Sequence, residues 1–226
     1  FTVDSTTDAV DANPGDGFCA TANNACTLRA AVQETNAQPG ADLITVPAGT
    51  YQLSLLGPAE DDAATGDLDI LDDLTIVAIG GEVVVDGLNS DRVFDTKLFV
   101  PVTLTLRGLT IQNGAPPDLN ADGGGVYVRE GSLILEDMVF RDNHANDNGG
   151  GAYVFSGDAM IVRDSVFERN STLRRGGGLA SNVPTTVERV RLTGNTAREG
   201  GGIHVSDAPL LLIASTVEAN TADGPG

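Results

Sequence analysis

A glycine triplet followed by one apolar residue recurs four times in the second half of the chain. The four copies are Gly123–Val126, Gly149–Ala152, Gly176–Leu179 and Gly200–Ile203. The triplets begin 26, 27 and 24 residues apart. A repeat near this length indicates a supersecondary unit that cannot bury its apolar face alone, so that successive copies must stack.

A second marker recurs in phase with the triplets: an apolar residue followed three positions later by asparagine. The four pairs are Phe140/Asn143, Phe167/Asn170, Leu192/Asn195 and Val217/Asn220. Between the markers apolar residues alternate with polar ones, which is the period of a strand rather than of a helix. Leucine-rich repeats have a similar length, but they need a longer helical half and their own leucine spacing. The pattern therefore predicts an all-β fold, a parallel β-helix built as a single-stranded solenoid.

Stacked turns lie about 4.8 Å apart, so equivalent residues should form columns. Two apolar columns are expected to face inward: Phe140, Phe167, Leu192 and Val217 form one, and Leu135, Val162, Val187 and Leu212 form the other. The asparagines of the second marker should form a structural ladder at a bend, with each amide bonded to the next. The members of this ladder are Asn143, Asn170, Asn195 and Asn220.

These motifs resemble the repeats of polymorphic outer membrane proteins and other surface proteins with a right-handed parallel β-helix. The matching segments are Phe140-Arg141-Asp142-Asn143 and Phe167-Glu168-Arg169-Asn170, each followed by a triplet. The later copies depart mildly, with Leu192 and Val217 in place of phenylalanine. A looser copy over residues 104–113 extends the pattern upstream. The resemblance implies a right-handed β-helix exposed at a cell surface.

The N-terminal quarter contains a predicted helix over Thr27–Ala37, with Thr27 as the N-cap and a proline–glycine pair behind it. Residues 1–55 resemble the domain named for the motif CSLREA, found at the start of secreted β-helical bacterial proteins. Here the motif is Cys26-Thr27-Leu28-Arg29-Ala30-Ala31, and Ala30 replaces the usual glutamate. We expect this short helix to cap the first turn of the solenoid and to protect its open end.

Three regions follow from these patterns. Residues 1–55 form the N-terminal cap, with a strand, a cysteine loop, the helix and a first turn. Residues 56–122 form irregular turns with insertions, including an acidic stretch from Pro58 to Asp69. Residues 123–226 form the regular repeats. We expect these repeats either to continue beyond Gly226 or to dock on a partner at that end.

The charge and the cysteines restrict the environment in which the chain works. The formal net charge is −19, which argues against nucleic acid and anionic membrane surfaces as partners. No apolar run approaches the roughly 18 residues that would predict membrane insertion. Cys19 and Cys26 are the only cysteines. A disulfide between them would favour an extracellular location and stabilise the fold by about 2–3 kcal/mol, the alternative being two buried thiols.

Two acidic loops are candidate calcium sites. Asp118, Asn120 and Asp122 place oxygen ligands at alternate positions before a glycine. The twelfth position of an EF-hand would be Arg129, so this loop is not an EF-hand. A weaker candidate consists of Asp11, Asn13 and Asp16. The alternative for both loops is an acidic turn without metal.

The residue after the first apolar position of each copy is expected to face outward. These residues are Tyr127, Tyr153, Ala180 and His204. Two exposed, stacked tyrosines, with His204 further along, could hold a sugar or a protein partner, or the rings could simply stack on each other. A second outward column would form an apolar contact stripe unless a bulge turns it inward. Its members are Ile134, Ile161, Thr186 and Leu211.

No catalytic residue is predicted. Asp137 and Asp164 occupy equivalent positions in adjacent copies, but Arg189 is next in that column, which favours surface ion pairs over a pair of catalytic carboxylates. His144 and His204 lie in different parts of the repeat, which does not support a shared metal site.

We therefore expect a secreted or cell-surface, non-enzymatic structural or adhesive protein, such as an adhesin, a stalk or a subunit of an extracellular matrix or filament. Its partners would be copies of itself joined head to tail, downstream domains of the same protein, or a glycan. The alternatives are a polysaccharide-degrading lyase or glycosidase on a β-helix, and a glycan-binding module.

Overall fold

The computed structural model describes residues 1–57, 60 and 62–224. The chain forms an all-parallel β-solenoid of about 6 turns, with one short helix near the N-terminus. The predicted fold class, an all-β parallel β-helix with a short N-terminal helix, is confirmed. Part of the predicted acidic insertion (Pro58, Ala59 and Asp61) and the last two residues, Pro225 and Gly226, lie outside the described residues.

The strands are numbered along the chain and form three parallel sheets. The 12-stranded sheet contains β1 (Asp42–Gln52), β3 (Leu74–Asp86), β5 (Val102–Arg107), β6 (Leu109–Gln112), β8 (Gly131–Glu136), β9 (Val139–Arg141), β12 (Gly157–Arg163), β13 (Val166–Glu168), β16 (Thr185–Glu188), β17 (Arg191–Thr193), β20 (Leu210–Ile213) and β21 (Thr216–Glu218). The 6-stranded sheet contains β2 (Leu68–Ile70), β4 (Phe94–Thr96), β7 (Val126–Val128), β11 (Ala152–Val154), β15 (Leu179–Ser181) and β19 (Ile203–Val205). The 4-stranded sheet contains β10 (His144–Ala145), β14 (Ser171–Thr172), β18 (Thr196–Ala197) and β22 (Thr221–Ala222).

The two predicted apolar columns are confirmed by the strand register. The first runs through Phe140, Phe167, Leu192 and Val217. The second runs through Leu135, Val162, Val187 and Leu212. The two phenylalanine rings stack with their centroids 4.6 Å apart and their planes 3° from parallel. Each turn thus buries its apolar residues against the equivalent residues of its neighbours, which is why a single turn could not fold alone.

The predicted asparagine ladder is also confirmed. Asn143 Nδ2 donates to Asn170 Oδ1 at 2.9 Å, Asn170 Nδ2 to Asn195 Oδ1 at 3.0 Å, and Asn195 Nδ2 to Asn220 Oδ1 at 2.8 Å. The backbone N–H of each donating asparagine bonds to the same oxygen. The first three asparagines are fully buried. Buried amides bonded in this way satisfy both their donors and their acceptors, so they stabilise the bend.

The looser upstream copy fits the strands but not the ladder. Leu104 pairs with Leu133 and Ile111 with Phe140, as the repeat predicts. However, Gly114 occupies the ladder position, because its backbone N–H donates to Asn143 Oδ1 at 2.9 Å. Asn113 lies one residue earlier, so this copy keeps the strands of the repeat and has glycine where the later copies have the ladder asparagine.

The glycine triplets have two separate physical roles. The first glycine of each triplet has a positive φ, 67° at Gly149 for example, a conformation that glycine adopts without strain. The second and third glycines lie directly against the next turn. A Cβ at Gly150 would collide with the carbonyl oxygens of Gly177 and Ser171. Backbone proximity between turns, rather than dihedral freedom, therefore requires glycine at these two positions.

The N-terminal cap is built around a helix, α1 (Leu28–Ala37), whose N-cap is Thr27 as predicted: the Thr27 Oγ1 atom accepts from the Ala30 N–H at 3.1 Å. All residues from Leu28 to Thr35 are buried, so the helix is enclosed on nearly every side. Beside it, Cys19 and Cys26 form the predicted disulfide, with their Cα atoms 5.1 Å apart.

One charged side chain of α1 joins the cap to the insertion. Arg29 is fully buried and donates to the carboxylate of Asp8 at 2.6 Å. Its other donors reach the backbone carbonyls of Ala63, Gly66 and Asp67. A buried guanidinium is tolerated only when paired and fully hydrogen-bonded, and both conditions are met here.

The apolar core runs continuously from Val3 to Leu192. In the last turn the corresponding side chains are open to solvent, with Leu212 and Val217 each 45% exposed. At the opposite end, Val3 N–H donates to the Thr45 carbonyl, and Thr2 forms an isolated parallel bridge with Thr45. Only the first three residues of the expected N-terminal strand pair in this way.

Candidate functional site

The outer face of the 6-stranded sheet carries one continuous column of polar and aromatic residues. The register aligns Asp69, Asp95, Tyr127, Tyr153, Ala180 and His204, one from each strand. The sequence repeats predicted the last four members. The two aspartates, which extend the column into the irregular turns, were not predicted.

Two cavities lie along this column and share Asp122 in their walls. The upstream cavity, of about 840 Å³, lies over Asp95 and Tyr127. The downstream cavity, of about 650 Å³, lies over Tyr153, Ala180 and His204. Together they form a groove across successive turns of the solenoid, and we refer to them as the upstream and downstream cavities of this groove.

The walls of the groove come from segments on either side of the strands. Loop residues 116–122 and the arginines Arg174 and Arg175 precede their strands and form one wall. Arg129, Phe155 and residues 182 and 206–207 follow their strands and form the other wall. Loops carried on a rigid solenoid therefore shape the groove, an arrangement common at binding sites.

The upstream end of the groove contains a group of three buried aspartates. One carboxylate oxygen from each of Asp67, Asp69 and Asp95 lies within 4.8 Å of the others, and within the described residues this is the one such group of potential metal ligands. Arg92 Nη1 donates to Asp67 at 3.0 Å and to Asp95 at 2.6 Å. Arg129 forms a two-point contact with Asp95, at 2.7 and 3.0 Å.

Two carboxyl groups of this cluster, those of Asp67 and Asp69, bind protons more tightly than exposed ones. Burial raises the pKa of Asp67 to about 7, although the Arg92 charge opposes the shift. Burial and the neighbouring Asp67 charge raise the pKa of Asp69 to about 8. Three carboxyls face two guanidinium groups, so one retained proton makes the cluster electrically neutral. Arg92 already bridges two carboxylates and supplies the positive charge that a metal ion would otherwise bring.

Tyr127 and Tyr153 stack as expected, with ring centroids 5.4 Å apart and planes 8° from parallel. The expectation that they are exposed is wrong, since Tyr127 is 8% exposed and Tyr153 is 4% exposed. The guanidinium carbons of Arg129 and Arg92 lie 4.7 and 5.5 Å from the Tyr127 ring centre. Burial raises the pKa of Tyr127 strongly and that of Tyr153 to about 12. The tyrosines thus stiffen the floor of the groove and leave little ring surface free.

The stronger calcium candidate lies in the wall of the upstream cavity, where Asp118 and Asn120 are exposed. Asp122 Oδ1 accepts from Asn148, at 2.8 Å from Nδ2 and 3.1 Å from the backbone nitrogen. Burial raises the pKa of Asp122. One of the three predicted ligands is therefore already engaged in joining two turns, and calcium binding here stays a prediction.

The weaker calcium candidate lies in the N-terminal cap, away from the residues that line the groove. The two Asp11 oxygens accept from the backbone N–H groups of Asn13 and Ala20, both at 2.8 Å. Asp16 Oδ1 accepts from the Phe18 N–H at 2.9 Å. These carboxylates organise the disulfide loop through short-range turn contacts.

The downstream end of the groove contains His204 and its surroundings. His204 Nε2 lies 2.9 Å from Ser206 Oγ, and burial together with the Arg175 charge lowers the pKa of His204. His144 bonds instead to Ser171, in another sheet, so the two histidines are not brought together. On the wall, Asn148 Oδ1 is the one buried side-chain oxygen or nitrogen without a hydrogen-bond partner among residues 1–57, 60 and 62–224.

The charged columns outside the groove form the expected ion pairs. Asp164 pairs with Arg189 at 2.6 Å, and Arg163 lies 3.4 Å from both Glu136 and Glu188. The predicted outward stripe also keeps its orientation, because Ile134, Ile161 and Thr186 are half-buried beside fully buried neighbours in β8, β12 and β16.

No protein-family model, curated protein or solved structure matches this chain. Among the described residues, no helix combines the length and the apolar character needed to span a bilayer. The groove and the scaffold that carries it are the features of this chain that bear on its function.

Proposed function

We propose that this chain is a secreted or cell-surface, non-enzymatic β-helical protein that adheres to an extracellular partner through the groove. The observation that carries this proposal is the groove itself, whose two adjoining cavities lie along one column of the 6-stranded sheet. An elongated polar depression suits a chain-like ligand, because consecutive units of such a ligand can meet consecutive turns of the protein.

The scaffold suits a structural or adhesive role. The asparagine ladder and the stacked rings of Phe140 and Phe167 link each turn to the next. The disulfide of the cap supports an extracellular location, because such bonds persist in oxidising compartments. The resemblances to CSLREA-type caps and to right-handed surface β-helices support the same location.

Binding rather than turnover fits the state of the carboxyl groups. Asp95 is held by two arginines, and Asp122 is held by Asn148. Acid–base catalysis needs an acid and a base that can reach a substrate. Because these carboxylates are already hydrogen-bonded, they are better suited to holding the walls of a binding site in place than to acid–base catalysis.

The test is saturable binding of the 226-residue chain to immobilised polysaccharides, matrix proteins and bacterial cell envelopes. We expect binding to at least one of these surfaces. Ser206→Trp, which fills the downstream cavity, should abolish the binding. Thr193→Trp, on the outer face of the 12-stranded sheet, is the matched control and should leave it intact. Absence of saturable binding to every surface would overturn the proposal.

A second candidate, a polysaccharide-degrading enzyme, is favoured by one observation. Asp69, with its pKa raised to about 8, holds a proton at neutral pH close to the carboxylate of Asp95. A proton donor beside a carboxylate is what glycoside cleavage requires. Incubation with neutral and acidic polysaccharides should then release reducing ends or unsaturated products, and Asp69→Asn should stop the release. If the wild-type chain forms no product from any polysaccharide, this candidate is removed.

A further inference from the structure

The downstream cavity contains an aromatic face that is open to solvent. Phe155 is 46% exposed and lines this cavity. Its backbone N–H donates to the Val128 carbonyl at 2.9 Å, which fixes the chain at this point. An aromatic ring left uncovered at the edge of a polar cavity offers a flat apolar surface to a ligand.

Tyr153, in the floor of the groove, fixes the orientation of the Phe155 ring. The ring lies edge-on to Tyr153, with centroids 6.3 Å apart and planes at 69°. Tyr153 is itself held by its stack on Tyr127 and by Asn182 Nδ2, which donates to the Tyr153 hydroxyl at 2.9 Å. A buried support of this kind keeps the exposed ring in place before a ligand arrives, which reduces the entropy lost on binding.

Polar groups surround the aromatic face. Asn182, Ser206 and Asp207 lie on the same wall as Phe155, and His204 forms part of the floor. The Asn182 carboxamide uses one N–H on Tyr153, so its oxygen and its other N–H remain for a ligand. Such a mixture of donors and acceptors beside an apolar face matches a pyranose, which has hydroxyl groups around its rim and C–H groups on its faces.

The charges of the cavity indicate a neutral ligand. Arg174 is paired with Asp147 at 3.1 Å, and Arg175 is paired with Glu199 at 3.2 Å. The positive charge of each guanidinium is therefore already balanced by a carboxylate. The cavity also contains Asp122 and Asp207, and the whole chain has a formal net charge of −19. An acidic sugar would be repelled by this field.

We propose that the downstream cavity is a subsite for a neutral pyranose residue of an extracellular polysaccharide, stacked on Phe155 and hydrogen-bonded by Asn182. This inference rests on the proposed function and names the class of ligand that the groove binds. An extended peptide is the competing occupant, and the experiment distinguishes the two.

The experiment measures binding of the 226-residue chain to an array of neutral and acidic oligosaccharides and to matrix proteins. Calorimetry on the strongest neutral oligosaccharide follows. We expect Phe155→Ala to weaken binding at least tenfold, Phe155→Leu to weaken it nearly as much, and Phe155→Trp to preserve it. Asn182→Ala should weaken binding several-fold. Phe99→Ala is the matched control, because Phe99 is 83% exposed and lines neither cavity.

Three outcomes would overturn the inference. They are binding to acidic sugars alone, equal affinities for the Phe155→Ala and Phe99→Ala variants, and binding to matrix proteins without any oligosaccharide. The last outcome would leave the proposed adhesive function intact, so the two proposals can fail separately. Thermal unfolding of each variant shows whether a loss of binding reflects a loss of folding.

Discussion

Asn143 and Asn170 are joined by two hydrogen bonds, because the Nδ2 atom and the backbone nitrogen of Asn143 both donate to the side-chain oxygen of Asn170, at 2.9 and 3.2 Å. The Asn170 amide in turn donates to the carbonyl oxygen of Phe140 at 2.9 Å. One buried side chain thus serves three consecutive turns.

We expect Asn170→Ala to lower the free energy of unfolding by about 3 kcal/mol or more, because it leaves several buried donors and acceptors without partners. Urea unfolding followed by circular dichroism measures the change. Asn120→Ala, in an exposed loop, is the control and should change stability by less than about 0.5 kcal/mol. Equal effects of the two substitutions would contradict a stabilising role for the ladder.

The glycine triplets lead to a prediction about close approach between turns. Gly150→Ala should prevent the turns from meeting at their normal spacing, because its Cβ would overlap two carbonyl oxygens of the next turn. We expect a loss of more than about 3 kcal/mol, or failure to fold. Gly194→Ala is the matched comparison: it has a φ of 65°, but its Cβ would meet no atom closer than 3.7 Å. It should cost only about 1–2 kcal/mol of dihedral strain. The prediction fails if the two variants have the same melting temperature.

The aspartate cluster should make stability depend on pH. The folded-state pKa of Asp69, about 8, lies above its ordinary value of 3.8, so the folded chain binds more protons than the unfolded chain between these values. The contribution of Asp69 to stability is therefore complete only below pH 3.8 and is lost progressively as the pH rises through 8. Asp67 acts in the same direction, with its pKa raised to about 7.

Asp69→Asn keeps the shape of the protonated carboxyl group and removes the titration. We expect the stability advantage of this variant over the wild type to be larger at pH 8 than at pH 5, by more than about 1 kcal/mol. Chemical unfolding at both pH values measures the difference. Asp158→Asn, at an exposed position, should have no such effect. A wild-type stability that is flat between pH 5 and 8 would show that the cluster holds no proton.

The last turn makes the 226-residue chain a candidate for self-association. Leu211 and Val217 are exposed there, and β20 has a neighbour on one side only. An edge strand of this kind pairs readily with another chain. Sedimentation velocity should show an increase in average mass with protein concentration, and Leu211→Glu should reduce it.

Ile161→Glu is the control for this experiment, since Ile161 lies in the same outward column two turns earlier and away from the open edge. It should leave the association unchanged. A strict monomer at high concentration, with and without calcium, would rule out head-to-tail assembly of this chain.

The regular half of the fold was predictable because each turn there has an equivalent in the next turn. Two markers in phase placed Phe140 over Phe167 and Asn143 over Asn170 without any structure. The looser copy over residues 104–113 did not determine the phase of the bend, because it lacks the second marker, and the ladder position there belongs to Gly114.

The aspartate cluster at the upstream end of the groove was missed because it lies in turns without glycine triplets. A signal for it does exist in the sequence: Leu68-Asp69-Ile70 and Phe94-Asp95-Thr96 share an apolar–aspartate–apolar or β-branched pattern at a spacing of 26 residues. The arginines that neutralise these aspartates have no equivalent in other turns, so no repeat could reveal them.

The burial of the tyrosines was not predictable from alternation. Period-two alternation indicates which face of a strand a side chain occupies, and it placed Tyr127 and Tyr153 correctly outside the main core. It does not indicate what covers that face. Arg92 contacts the Tyr127 ring from the preceding turn, and Arg129 and Phe155 contact the rings of Tyr127 and Tyr153 from positions two residues further along the chain, where the strands have ended.

The buried position of Asn170 has a consequence for recombinant production. Asn170-Ser171-Thr172 is an acceptor sequence for N-linked glycosylation, which eukaryotic secretory pathways attach to the asparagine amide nitrogen. In the folded chain that nitrogen is enclosed between Phe140 and Asn195. A chain glycosylated at Asn170 before folding could not form the asparagine ladder. Protein that folds correctly in a eukaryotic host should therefore be unmodified at this residue.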